Sequence, residues 1–459
     1  MPEPTIIERT YTRAYSLGVL AVAAVTFPYV VAYCLAAAAY HRLFATTTAP
    51  PSNGKTVIIT GGKMTKSLHL IRHLKAAGCR VVLCETGKYW MVASRFSSCV
   101  DRFVTTPVPE KATKEHLSSI KRLAYEEDAD LFVPVTSPLH SVYEARASTI
   151  LPASCRALAL SEAVTAALDD KVTFAELAKQ AGVAVPDIRR VTSKSEAHKI
   201  NDELRATPNC VKHIFKSINY DSMRRLDLFT MPCEPSALDE YLEGVEITPN
   251  ASWGVQKFVT GTEYATCAIS HNGNLALYTD HQTSISCFNY EHVGDPRLKA
   301  WVTQFCKYHK ITGVVCIDFF IDTEGNALAI ECNPRWSSNI ANFYDEPTAV
   351  GKALLEPEAC AAAGEVATPL PTAVETNWIG ADVYYALTKP GKTLSQRASA
   401  LYAAFALKKD AYYDPADILP FLALYYLHIP TLLLRNVWKG NRWAKIDLCI
   451  GKLTEENGD

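Results

Sequence analysis

Residues 317–335, IDFFIDTEGNALAIECNPR, read as two apolar strands joined by a tight turn, with oxygen-bearing side chains gathered at one end. Asp318 opens the first strand, Thr323-Glu324-Gly325-Asn326 forms the turn, and the return strand carries Glu331 and Asn333 back to that end. Side chains alternate along a strand, so Glu331 and Asn333 share a face while Cys332 points the other way. An Asp, a Glu and an Asn converging with so few charges suit Mg²⁺ that is also held by nucleotide phosphates. Arg335, two residues further on, is placed to hold phosphate or an anionic intermediate. The competing reading is a hairpin with ordinary polar ends, and the upstream residues separate the two.

Lys171, in ALDDKVTFAELAKQAGV, lies near the start of an amphipathic helix with Phe174, Leu177 and Ala178 on one face. Lys216 ends the apolar run VKHIFK, where a lysine closing a buried strand is costly unless an anion meets it. The segment WGVQKFVTGTEY follows, carrying Gln256, Val259 and Glu263. In this order (two lysines, a hinge, then an Asp and a Glu-x-Asn thirteen positions later) the chain resembles the ATP-grasp ligases. The resemblance implies that Lys171 and Lys216 hold the ATP phosphates and that Gln256 and Val259 meet adenine. It gives Glu263 the ribose hydroxyls, and Asp318, Glu331 and Asn333 two Mg²⁺ ions, Mn²⁺ being the alternative metal. Lys216 and Arg335 become the expected catalytic groups. Arg224 and Arg225, in SINYDSMRRLDLF, fall where such enzymes close a loop over the triphosphate; a solvated hairpin tip is the equally open alternative. Gln256 stands where the family often has Glu, which keeps a hydrogen bond and removes a charge.

The implied architecture is α/β. A Rossmann-like pre-ATP-grasp domain is expected at residues 51–160 and an ATP-grasp domain at 161–365. An apolar N-terminal segment precedes them at 1–50, and a small C-terminal region with a second apolar stretch occupies 366–459. TVIITGGKMTKSLHLIRHLKAAGCRVVLCE supports the first domain as a strand, a Gly-Gly turn, a helix and a second strand. The dinucleotide glycine fingerprint is missing, so no NAD site is read there. Lys63, Thr65 and Ser137 are either substrate contacts or helix-capping and turn residues. His281 is either a proton-transfer group or an ordinary hydrogen-bonding residue.

Composition narrows the setting. Charge is nearly balanced and no basic arm occurs, which gives nucleic-acid binding no support. The fourteen cysteines form no CxxC pair, which favours a reduced compartment over disulfides or a zinc site. The catalytic body is therefore expected in the cytoplasm. Residues 16–40, SLGVLAVAAVTFPYVVAYCLAAAAY, carry no charge and are long enough to cross a bilayer core, with Pro28 as a kink. Residues 418–434 are also apolar, broken by Pro420 and Pro430. A single span, a monotopic membrane patch built from both stretches, and two segments packed on a soluble body all remain open.

Five further stretches are more specific than the nucleotide motif: GGKMTKSLHLIRHLKAAG, GKYWMVASRFSSCVDRF, FKSINYDSMRRLDL, AIECNPR and WAKIDLCIGKL. They are similar to the mycosporine-glycine synthetases of mycosporine biosynthesis, over nearly the whole chain. That resemblance implies ATP-dependent joining of glycine to 4-deoxygadusol; a homodimer is left open. One residue departs from many carboxylate–amine ligases of the fold: Cys316 stands two before Asp318, where they place an Arg. The alternatives are an amide-forming ATP-grasp carboxylate–amine ligase and a non-catalytic nucleotide-binding scaffold at a membrane.

Overall fold

The short apolar strands after residue 50 alternate with helices, a pattern that builds a parallel sheet. The computed structural model describes residues 6–45, 50–135, 140–218, 228–283, 288–441 and 443–455. Its first sheet contains β1 (Thr56–Ile59), β2 (Arg80–Thr86), β3 (Arg102–Thr106), β4 (Leu131–Val133) and β5 (Arg156–Ala157). Their order is β3-β2-β1-β4-β5, with every neighbouring pair parallel. Central β1 is buried along its whole length, as a strand covered on both faces must be. At its end Gly61 takes φ 70°, and a Cβ there would stand 1.7 Å from the Val135 carbonyl oxygen. Only glycine lets these two strand ends close up. Helix α2 (Thr65–Ala76) follows and is buried from Thr65 through Ile71. It is wedged between the sheet, the 3-10 turn Ser338–Phe343 and the helix Pro347–Leu355.

Two four-stranded antiparallel sheets come next. β6 (Ile188–Val191), β7 (His213–Ser217), β8 (Thr230–Met231) and β9 (Trp253–Lys257) lie in the order β6-β9-β7-β8. β10 (Gly261–His271), β11 (Asn274–Gln282), β13 (Gly313–Asp322) and β14 (Ala327–Asn333) lie in the order β11-β10-β13-β14. The short β12 (Asn289–Tyr290) joins a small sheet with β15 (Thr376–Asn377) and β16 (Lys409–Asp410). Ile317 and Phe319 on one face of the larger sheet pack with Phe174, Trp301 and Phe305. Cys267, Val314 and Cys316 on the other face pack with Trp336, Phe343 and the apolar residues of the first sheet.

Asp318 does not open its strand. β13 begins at Gly313, because residues 313–317 already pair with β10, so Asp318 sits in mid-strand. A bulge follows it: Asp318 pairs with Glu331 but Phe319 with Ala329, which leaves Ile330 unpaired.

Residues 418–434 fold into the helix Leu419–Ala423, a π-helical turn Leu424–His428 and the start of the helix Ile429–Lys439. Pro420 falls in a first turn, where a missing N–H removes no helical bond, whereas Pro430 lies within the continuous run just after the π-helical turn and takes one donor from it. The helix α1 (Ile6–Phe44) runs along this region with Pro28 inside it. Arg13 Nε donates to the Val437 carbonyl oxygen at 3.2 Å, Trp443 Nε1 to Ser16 Oγ at 3.1 Å, and Tyr426 OH to Thr26 Oγ1 at 3.2 Å. Its other side, with Leu17, Val25, Tyr29 and Leu35, is exposed. From Arg9 to Phe44 this helix is long and apolar enough to cross a membrane.

Candidate functional site

The hairpin's pairing fixes the centre of the site. Asp318 and Glu331 are direct cross-strand partners and therefore share a face, and Asn333 lies one row away, opposite Cys316. Asn333 Nδ2 donates to Asp318 Oδ2 at 2.9 Å, and the Arg335 guanidinium donates to Asn333 Oδ1 and, at 3.0 Å, to Asp169 Oδ1. The main cations arrive from two other elements. Lys171 is the first residue of the helix Lys171–Gln180, whose N-cap Asp170 accepts from the amides of Val172 and Thr173. Asp170 is itself gripped by both terminal nitrogens of Arg190, at 2.7 and 2.9 Å. That rigid corner sets the Lys171 ammonium 3.1 Å from Glu331 Oε2. Lys216, on β7, lies near enough for its charge and that of Glu331 to act on each other.

The charges sort the two acids. Lys171, with Lys216 and Arg335, holds Glu331 well below the usual carboxylate range. Burial, the Glu331 charge and Glu263 push Asp318 well above it. Burial holds the Lys216 ammonium down at about 8, with Glu331 opposing and Lys171 assisting. Both acids keep some accessible surface, so this is the wall of a cleft rather than a sealed core. Cations crowd round one ionised carboxylate, beside a second that resists ionising. Such a site favours a polyanion and a divalent ion.

Gln256 is buried, and its Nε2 donates to the Ile330 carbonyl oxygen at 3.3 Å, tying the smaller antiparallel sheet to the bulge. Val259, in the turn after β9, makes no hydrogen bond among the described residues, which leaves its backbone groups available to a ligand edge. Glu263 faces the site from β10, and burial followed by the Glu331 charge raises its pKa. Arg224, Arg225 and Ser137 lie outside the described residues. Lys63 and Thr65 are buried: the Lys63 ammonium lies 4.1 Å from the Tyr89 ring centroid, and Thr65 Oγ1 donates to the Leu448 carbonyl oxygen. His281 is buried against Tyr290, and its pKa falls to about 3 through burial.

Among the described residues no group of three or more His, Cys, Asp or Glu side chains converges as a metal cage. Two carboxylates and an amide fit Mg²⁺ only when phosphate oxygens complete the shell, which is how a nucleotide-borne ion is held. A shallow depression of about 720 Å³ along the helix Pro296–His309, lined by Lys299, Gln304, Lys307 and Tyr308, contains none of these residues.

Two groups at the site have no plain signal in the sequence. Asp169 holds Arg335, and Lys66 projects from α2 towards Arg335. Both depend on segments brought together from more than 150 positions apart.

No protein-family model matches the sequence, and no curated protein matches it. Solved structures do resemble it. The L-amino acid ligase from Bacillus licheniformis is 14% identical with TM-score 0.51, covering 70% of this chain and 78% of that one. An ADP complex of N5-carboxyaminoimidazole ribonucleotide synthetase is 15% identical with TM-score 0.49, covering 67% and 77%. The biotin carboxylase domain of the Hydrogenobacter thermophilus 2-oxoglutarate carboxylase is 16% identical with TM-score 0.48, covering 68% and 70%. At such identities the likeness to the amino acid ligase shows the fold alone. The chain is an α/β protein with an ATP-grasp fold behind a Rossmann-like sheet.

Proposed function

We propose that the protein is an ATP- and Mg²⁺-dependent ligase that forms a C–N bond through a phosphorylated intermediate. The observation that carries this reading is Glu331, 3.1 Å from the Lys171 ammonium and paired across the hairpin with Asp318. Lys171 and Lys216 bind the triphosphate, Glu263 the ribose, and the Val259 backbone the adenine edge. Asp318, Glu331 and Asn333 hold magnesium, which when bound draws charge from the phosphates.

The acceptor reading is 4-deoxygadusol, with glycine as the amine, and it rests on the whole-chain resemblance. An oxygen of the vinylogous acid attacks the γ-phosphorus, and the bond to the bridging oxygen breaks with its electron pair leaving on ADP. The glycine nitrogen adds to the carbon bearing the new phosphate. The C–O bond then breaks, phosphate leaves with that pair, and the nitrogen loses a proton to give the enaminone. Lys216 stabilises charge on the transferring group and Arg335 on the departing phosphate. The test combines ATP, Mg²⁺, 4-deoxygadusol and glycine and follows ADP and enaminone absorbance. Robust amide synthesis from a simple carboxylate, without reaction of 4-deoxygadusol, replaces this acceptor with the amide-forming one.

The membrane reading is monotopic. The contacts of α1 run from Arg13 to Thr26, and the Tyr33 ring packs tilted against that of Tyr413 with centroids 6.1 Å apart. They occupy about 30 Å of helix, the thickness of a hydrocarbon core. A helix held along that length lies on the body and offers its outer apolar side to a lipid surface.

A further inference from the structure

Lys66 lies in the first turn of α2 and is 5% exposed. Its ammonium donates to the Trp336 carbonyl oxygen. An ammonium has three donors, and among the described residues no carboxylate lies within ion-pair distance of this one. Its charged neighbour is another cation: burial, then Arg335, holds Lys66 down at about 8. Two neighbouring cations, one of them without an acid, are costly unless an anion joins them.

The strand register locates that anion. Glu263, Ala265 and Cys267 alternate along one face of β10. The row through Ala265 contains His281, Asp318 and Glu331; the row through Cys267 contains Thr279, Cys316 and Asn333. Successive rows are about 6.8 Å apart. The face therefore reads in order: the proposed ribose carboxylate, the proposed metal row, then a row of small side chains beside which Lys66 stands, close to Cys316 and Cys267. Among the described residues, Trp336 Nε1, both side-chain amide atoms of Asn339, Asn342 Oδ1 and His281 Nδ1 are buried without partners; Trp336 packs with Cys267 and Cys316, and His281 lies one row away. Asn342 is tied to the row by its bond to Thr279 Oγ1 at 3.2 Å. The turn Ser338–Phe343 packs against α2, β10 and β11.

We propose that Lys66 and Arg335 together bind the oxyanion of the acceptor, an enolate or carboxylate, beside the end of the row that holds Cys316 and Asn333. The anion lies one row beyond the proposed metal row. This rests on the ligase reading and adds the acceptor site to it. Lys66 neutralises the attacking oxygen and, after transfer, the phosphate it carries; Asn339 and Trp336 supply hydrogen bonds to the rest of a polar ring.

The experiment compares the full-length wild type with Lys66→Met, Lys66→Gln and Lys66→Arg. 4-Deoxygadusol is varied at saturating ATP, Mg²⁺ and glycine, and Mg·ATP binding is measured separately by calorimetry. Met and Gln are expected to lower kcat/KM for the acceptor roughly tenfold to hundredfold, as loss of a charge-assisted bond does. ATP affinity should stay within about twofold, and Arg should restore most of the loss. An acceptor kcat/KM within about threefold of wild type in both variants overturns the site, and so does an equal loss of ATP affinity. If Lys66→Met does not fold, the Gln and Arg variants decide by the same limits. If the wild type instead makes amides from a simple carboxylate, the 4-deoxygadusol reading fails and Lys66 is judged on that carboxylate. A wild type that turns over neither acceptor overturns both readings.

Discussion

Glu331 is the acid on which the site's cations meet, so it is the residue whose loss is most damaging. Glu331→Gln removes the ionised partner that Lys171 and Lys216 share, while Arg335 keeps Asp169. Asp318→Asn removes the other metal charge. Both variants should abolish turnover while thermal unfolding changes little, because the side chains line a cleft wall. Near-normal rates at saturating magnesium would refute the metal assignment. Lys216→Ala should lower activity by orders of magnitude, whereas Glu263→Ala should chiefly raise the KM for ATP; normal ATP binding and turnover by Lys216→Ala would return that lysine to the scaffold. Lys66 adds a pH signature. Its folded pKa of about 8 lies below the ordinary lysine value of 10.5, so the folded protein releases this proton first. The burial cost is complete below about pH 8 and fades as pH rises towards 10.5, so Lys66 makes the native state relatively more stable in that window. Denaturant midpoints of wild type and Lys66→Met should therefore move apart in favour of wild type by about 2–3 kcal/mol between pH 7 and pH 10. A constant difference across that range would show that the ammonium is not desolvated.

At the scale of elements, the bulge after Asp318 and the small side chains of β10 shape the cleft. Gln256 anchors on the carbonyl of the unpaired Ile330, so one irregular residue links the two antiparallel sheets. Ala265 lies between His281 and Asp318 in the metal row, and two added methyl groups there would intrude on the triphosphate path. Ala265→Val should keep the strand, since a β-branched residue suits it, and lower kcat/KM for ATP about tenfold or more. Unchanged kinetics with unchanged melting temperature would place the nucleotide elsewhere.

At the scale of the molecule, the proposed role of α1 is to hold the body on a lipid surface. Leu17→Glu combined with Val25→Glu places charge on the exposed side, away from the contacts with Val437 and Tyr426. Binding to phospholipid vesicles should fall several-fold, with turnover unchanged. Equal vesicle binding by the double variant would end the monotopic reading. Starting the chain at Ser52 is a harsher change. It uncovers the side of the helix Ile429–Lys439 against which α1 packs, and the shortened protein should lose solubility as well as lipid binding.

The sequence by itself determined the fold class and set out the charged residues of the proposed site in order along it. Glu331 and Asn333 alternate on a strand, Lys171 begins an amphipathic helix, and Lys216 ends an apolar run; each pattern is local, and local periodicity is what a sequence displays. It also marked residues 16–40 as apolar enough to cross a membrane. What only the tertiary structure decided was non-local. Asp318 sits in mid-strand because β10 pairs with residues 313–317, and Ile330 is bulged out because its partner strand shifts register there. Lys63 and Thr65 are taken up inside the fold, whereas Lys66, in the same first turn, is turned towards Arg335. A lysine near a helix start is ordinarily a solvated residue. Only the arrival of Trp336 and Arg335 from the far end of the chain buries this one without an acid, because burial and charge pairing depend on which distant segments meet.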